Sequence, residues 1–189
     1  MTSTLEFQYE ENAHVTEITE RILDCVESIS MSFDGYGRSE LKGPGLYVAI
    51  ATGRSVGAYA DPMGTNRWPV ETCDNVRADA DSFYEAATDV ATSCDGGVVV
   101  GVDGTILEQM VRFRNVTDSD LPEGKTLADI DYAGWMGARH MSAHEISLRP
   151  EVVTTVALSE ETGRVTTFRD GEYESVAHED IGTPWRGEE

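Results

Sequence analysis

The stretch Asp95-Gly96-Gly97-Val98-Val99-Val100-Gly101-Val102-Asp103-Gly104-Thr105 decides the fold. Its β-branched run has no polar alternation, so both faces of the strand must be covered, as in a sheet with helices on either side. An Asp-Gly pair stands at each end. The first turns the chain into the strand; the second is a hairpin signal, and Thr105 to Val116 reads as the returning strand. Upstream, Leu46 to Ala51 is a short apolar run suited to a second buried strand. Downstream, Val152 to Leu158 is another β-branched strand, and Glu160-Glu161-Thr162-Gly163 turns it into Val165 to Phe168 as a second hairpin.

Three helices alternate with these strands. Val15, Ile18, Ile22, Leu23, Val26 and Ile29 recur at helical spacing over residues 15–30. Phe83, Ala86, Ala87 and Val90 line one side of a helix from Asp79 to Ser93. A third helix is expected from Ile130 to Leu148, its start interrupted by Gly134 and Gly137, ending before Pro150. Gly53 to Asn75, with Pro62, Gly64 and Pro69, reads as irregular, and Asp118 to Gly124 as a loop. The expected fold class is α/β: a mixed central β-sheet flanked by helices, in one domain across residues 1–189. Residues 1–14 and the acidic tail 171–189 are expected to be loosely attached.

Composition narrows the function. The chain carries 14 basic and 35 acidic residues, a net charge of −21, and only two lysines, Lys42 and Lys125. Such a balance suits a cytoplasm of high salt, where screening makes self-repulsion tolerable. It argues against nucleic-acid binding, which needs a basic surface. No apolar run approaches the roughly 20 residues of a membrane span, and the first residues lack a secretory pattern. Cys25, Cys73 and Cys94 are odd in number and widely spaced, so they read as reduced packing residues of a cytoplasmic protein. No GxxxxGK[ST] loop, strict dinucleotide-binding glycine pattern or GxSxG elbow is present.

Two runs carry candidate chemistry. Asp103 leaves the valine strand, at the kind of strand end where α/β sheets place ligands, and Gly104 lets backbone approach a ligand closely. Gly137-Ala138-Arg139-His140-Met141-Ser142 stands near an expected helix start, where free N–H groups attract phosphate. Arg139 can grip phosphate oxygens bidentately, His140 can donate to phosphate or lie near a base, and Trp135 can shape a pocket beside them. His140 and His144 are four residues apart, but the zincin order of residues is absent.

Taken in order, Asp103-Gly104-Thr105, Gly137-Ala138-Arg139-His140-Met141 and Ser159-Glu160-Glu161-Thr162-Gly163 resemble the marks of the diadenylate cyclase domain. This is the N-terminal domain of the DNA integrity scanning proteins and their archaeal relatives. The family's marks are Asp-Gly-Ala, Gly-Thr-Arg-His-Arg and Ser-Glu-Glu-Thr-Gly. The resemblance spans residues 78–170. It implies condensation of two ATP into cyclic di-AMP with release of two pyrophosphates, using Mn²⁺ or Mg²⁺. By the same resemblance Asp103 would ligate the ion and orient the attacking 3′-hydroxyl, with Glu160 assisting the metal. Gly104 and Thr105 would line the nucleoside pocket, and Val116 would contact adenine. Ala138, Arg139, His140, Met141 and Ser142 would cradle phosphates, Arg139 stabilising the transition state. Ser159, Glu160 and Glu161 would border the nucleotide. A two-fold symmetric product from single-ATP subunits implies a homodimer or higher homo-oligomer. Met141 stands where the family has a second arginine, and Ala138 where it has threonine. These departures leave a silent nucleotide-binding regulatory domain as the alternative.

Overall fold

The computed structural model describes residues 12–182 apart from 39, 41, 54, 55, 122, 123 and 125. Helix α1, Ala13–Met31, opens on Asn12, whose side chain accepts the backbone N–H of His14. Helix α2, Ala80–Ser93, opens on Asp79, whose carboxylate accepts the N–H of Ser82. These caps satisfy N–H groups that the first turn of a helix leaves unpaired.

The strands are β1 (Leu46–Ala51), β2 (Ala60–Pro62), β3 (Gly97–Gly101), β4 (Ile106–Phe113), β5 (Val152–Leu158), β6 (Val165–Arg169) and β7 (Glu172–Val176). They form one mixed sheet in the order β2-β4-β3-β1-β5-β6-β7. Only β1 and β3 run parallel; the other pairings are antiparallel. Helix α3, Ala138–Ile146, lies across the face opposite α1 and α2. Alternate residues of β1 show the layering. Leu46, Val48 and Ile50 join the core that includes α1 and α2. Tyr47, Ala49 and Ala51 join the core that includes Ala143 and Ile146 of α3. Every residue of β1, β3 and β5 is buried, as the uninterrupted apolar runs require.

Three expectations need correction. The third helix begins at Ala138 rather than Ile130; residues 130–137 are irregular, with a short 3₁₀ turn before them at Leu127–Asp129. The region 53–75 contains the short edge strand β2, paired with Arg112 and its neighbours. Of the expected loose tail, residues 172–182 are attached: β7 pairs with β6 through five residue pairs, and Ile181 packs into the core. The expectation for residues 1–11 and 183–189 lies outside the described residues. Cys25, Cys73 and Cys94 are free thiols. No helix among the described residues is long and apolar enough to cross a membrane.

Candidate functional site

A cavity of about 390 Å³ opens where the N-terminal ends of β1 and β3, the C-terminal end of β5 and the start of α3 meet. Its volume falls within the ~300–1,000 Å³ typical of small-molecule sites. Asp95-Gly96-Gly97 forms one wall, Gly137 to His140 with Ser142 another, and Ser159 to Thr162 a third. Tyr47, Phe113 and Trp135 complete it.

Arg139 is the electrostatic centre. Its guanidinium lies 3.6 Å from Asp95 Oδ1 and 3.5 Å from Glu160 Oε2, with 20% of the side chain exposed. Gly45, just before β1, makes room for it: a Cβ there would stand 2.5 Å from Arg139 Nη1. Helix α3 starts on Gly137 with no side-chain cap, and its first return bond runs from Met141 N–H to the Gly137 carbonyl. The amides of Ala138, Arg139 and His140 therefore precede the helical hydrogen-bond ladder, the arrangement that favours an anion.

His140 is 3% exposed, and its Nε2 is buried with no hydrogen-bond partner. Burial, reinforced by the charges of Arg139 and Arg164, lowers its pKa to about 4, so the imidazole is neutral near pH 7. Trp135 presents an edge to His140 at 5.4 Å and its face to the Arg164 guanidinium at 4.7 Å. Tyr47, at the cavity floor, has its pKa raised by burial.

The Ser159 hydroxyl accepts the N–H groups of Glu161 and Thr162 and so shapes the β5–β6 turn. The carbonyls of Glu160 and Glu161 accept N–H groups from Gly43 and Gly37, tying that turn to the chain before β1. Glu160 faces two cations, Lys42 at 3.3 Å and Arg139 at 3.5 Å. Both of its oxygens are thus engaged, which suits it to holding Arg139 better than to holding a metal ion.

The structure brings Ala138, Arg139, His140, Ser142, Ser159, Glu160 and Glu161 together around this cavity. It places the remaining candidates elsewhere. Asp103, Gly104 and Thr105 form the β3–β4 turn beyond the opposite end of β3, a strand about 13 Å long. There Asp103 Oδ1 accepts the Thr105 N–H and the Asp103 carbonyl accepts Asn75 Nδ2. Val116 is a buried core residue rather than a cavity residue; Phe113, three positions earlier, lines the wall instead. Met141 is 37% exposed and lines a separate cavity of about 260 Å³.

In the sequence Asp95 reads only as a turn residue. Its carboxylate is largely exposed, at 77%, and faces Arg139. The available signal was a second Asp-Gly pair at the start of the same strand. Among the described residues no group of three or more His, Cys, Asp or Glu side chains could hold a metal ion. A magnesium-type ion on a nucleotide asks for less, because one or two carboxylates plus phosphate oxygens and water complete its shell. Asp95 fits that requirement.

No protein-family model matches the chain, and no curated protein matches it. Solved structures do. One, a hypothetical membrane spanning protein from Bacillus cereus, superposes with a TM-score of 0.55 at 15% identity over 85% of this chain. The chain spans 64% of that protein's length. Another, a double mutant of DacA from Staphylococcus aureus, gives a TM-score of 0.47 at 15% identity, covering 87% of this chain and 89% of that one. The likeness to the first of these is one of fold.

Proposed function

We propose that this chain is a diadenylate-cyclase-like domain that binds ATP in the Arg139 cavity and joins two ATP molecules into cyclic di-AMP with release of two pyrophosphates. The observation that carries the reading is the convergence of three separated segments on one cavity: Asp95-Gly96-Gly97, Gly137 to His140, and Ser159 to Thr162. Asp95-Gly96-Gly97 departs from Asp-Gly-Ala by a single methyl group, so it replaces Asp103-Gly104-Thr105 as the acidic triplet. The missing methyl has a local cause, since a Cβ on Gly97 would stand 2.5 Å from Phe113 Cε2.

In this reading the amides at the start of α3 and the Arg139 guanidinium hold the α-phosphate. The 3′-oxygen of one nucleotide attacks the α-phosphorus of the other, the P–O bond to pyrophosphate breaks, and the reciprocal attack closes the ring. Arg139 offsets charge that builds on the phosphoryl oxygens, while Glu160 fixes the guanidinium. Asp95 orients the attacking hydroxyl and accepts its proton. Asp95 would also be the protein ligand of a Mn²⁺ or Mg²⁺ ion, which supplies charge neutralisation of the phosphates when bound. Each cavity takes one ATP, so two copies face each other to make the two-fold symmetric product.

The test is incubation of the purified chain with ATP and Mn²⁺ in high salt, with mass spectrometry for cyclic di-AMP. The net charge of −21 is the reason for the salt. Product with release of two pyrophosphates is the expected result. ATP binding without product at any salt or metal condition would replace this reading with that of a silent nucleotide-binding domain.

A further inference from the structure

Gln109 is fully buried on β4, at 0% exposure, opposite Val98 of β3. Both ends of its amide are used. Nε2 donates to the Asp95 carbonyl at 3.3 Å, and Oε1 accepts the Arg67 N–H at 3.0 Å. The Arg67 N–H can only donate and the Asp95 carbonyl can only accept, so the orientation of the amide is fixed by its partners. A buried glutamine needs such complete pairing, because an unmet polar group there is costly.

The residue that follows deepens the case. Met110 has φ +62°, a rare conformation for a side-chain-bearing residue, and sits in a bulge where the β3–β4 register shifts between Gly97 and Val98. The Met110 carbonyl accepts the Met63 N–H at 2.7 Å. A Cβ on Gly96 would stand 3.0 Å from the Val111 carbonyl oxygen and 3.1 Å from Met110 Cα, so β4 packs directly beneath the acidic turn. Gly96 itself has φ +81°, and its N–H donates to Asp95 Oδ1 at 2.9 Å. Backbone and side chain of Asp95 are therefore held by different partners, Gln109 below and Gly96 with Arg139 above.

We propose that Gln109 is a positioning residue for Asp95, anchoring its carbonyl so that its carboxylate stays turned toward Arg139. The part of this proposal that concerns catalysis rests on the function proposed above. Gln109 touches no substrate; it acts through the turn.

The test uses Gln109→Leu and Gln109→Glu in the full chain, read by amide hydrogen exchange and by turnover per folded molecule. Gln109→Leu removes both hydrogen bonds. Exchange at Gly96 is expected to accelerate about tenfold, the factor that corresponds to losing roughly one hydrogen bond. Gly104, at the other end of β3, is expected to keep its rate. The turnover number is expected to fall while the ATP KM stays near its starting value. In Gln109→Glu the acceptor for Arg67 is kept and the donor to Asp95 exists only when the acid is protonated. Turnover of that variant is therefore expected to rise as pH falls from 8 toward 6, relative to the parent chain. Unchanged exchange at Gly96, or equal acceleration at Gly96 and Gly104, overturns the positioning role. If Gln109→Leu does not fold, a turnover ratio of Gln109→Glu to parent that is flat with pH overturns it. A parent chain that makes no cyclic di-AMP overturns the cyclase reading instead, and the exchange comparison then decides the anchoring of the turn by itself.

Discussion

Strand β3 begins and ends in an Asp-Gly pair, and the two ends do different work. At the first, the Asp95 carboxylate accepts one backbone N–H and faces Arg139 across the mouth of a cavity. At the second, Asp103 accepts the Thr105 N–H, and the backbone closes a tight turn through Gly104 N–H to Gly101 O and Gly101 N–H to Thr105 O. Arg77, which packs beside Gly104 in that turn, is paired with Glu17 at 3.3 Å. The difference lies in what the sheet brings alongside. The start of β1, the end of β5 and the start of α3 all arrive at the Asp95 end and carry a guanidinium with them. The same dipeptide is a candidate ligand site in one place and a hairpin in the other.

A matched pair of glycine substitutions separates the two ends of β3 by the largest effect. Gly45→Ala places a methyl where the Arg139 guanidinium lies, and the far end of that flexible side chain can move away. Turnover is expected to fall on the order of 100-fold, as misplacing a catalytic group by about 1 Å can do, with little change in urea midpoint. Gly104→Ala meets a φ of +85° and Asn75 Oδ1 at 2.7 Å. It is expected to cost about 1–3 kcal/mol of stability and to leave turnover per folded molecule unchanged. The opposite pattern would exchange the roles of the two ends.

A titration sharpens the same contrast. Burial holds the pKa of His140 at about 4 in the folded chain, against about 6.5 for an unperturbed histidine. Between those values the unfolded chain binds the proton and the folded chain does not. Stability is therefore full above pH 6.5 and declines as pH falls toward 4, by at most roughly 3 kcal/mol from this group. Denaturant unfolding at a series of pH values should show that slope, and His140→Gln should flatten it. The smallest effect is expected from Met141→Arg. Met141 is partly exposed, in a cavity shared with Glu145, so turnover is expected to change less than about twofold in a steady-state assay.

Much of the fold was legible because its central strands are buried on both faces and advertise themselves as valine and alanine runs. Strands β2 and β7 carry no such pattern. β2 is three residues long with Pro62 on a sheet edge, and β7 is an edge strand with mostly exposed side chains. The expected start of α3 was too early because Gly134 and Gly137 read as interruptions within a helix, whereas Gly137 is its N-cap. In the site, the Arg139 turn and the Ser159 turn were legible as local patterns. Asp95 was not. Which end of β3 meets Arg139 depends on β1 running parallel to β3 and β5 running antiparallel to β1, and pairing direction leaves no trace in a local motif. The rule that places ligands at the carboxyl ends of strands belongs to open, mostly parallel sheets; among the described strands this sheet is parallel at β1–β3 alone.

In the proposed reaction the carboxylate that takes the proton of the attacking hydroxyl stands at the Asp95 end of the strand. Asp95→Asn and Asp103→Asn, assayed side by side for cyclic di-AMP from ATP and Mn²⁺, test it most directly. Asp95→Asn is expected to lose product formation by at least about 100-fold, with the fold retained by circular dichroism. Asp103→Asn should keep its turnover per folded molecule. Full activity in Asp95→Asn together with loss in Asp103→Asn would contradict it.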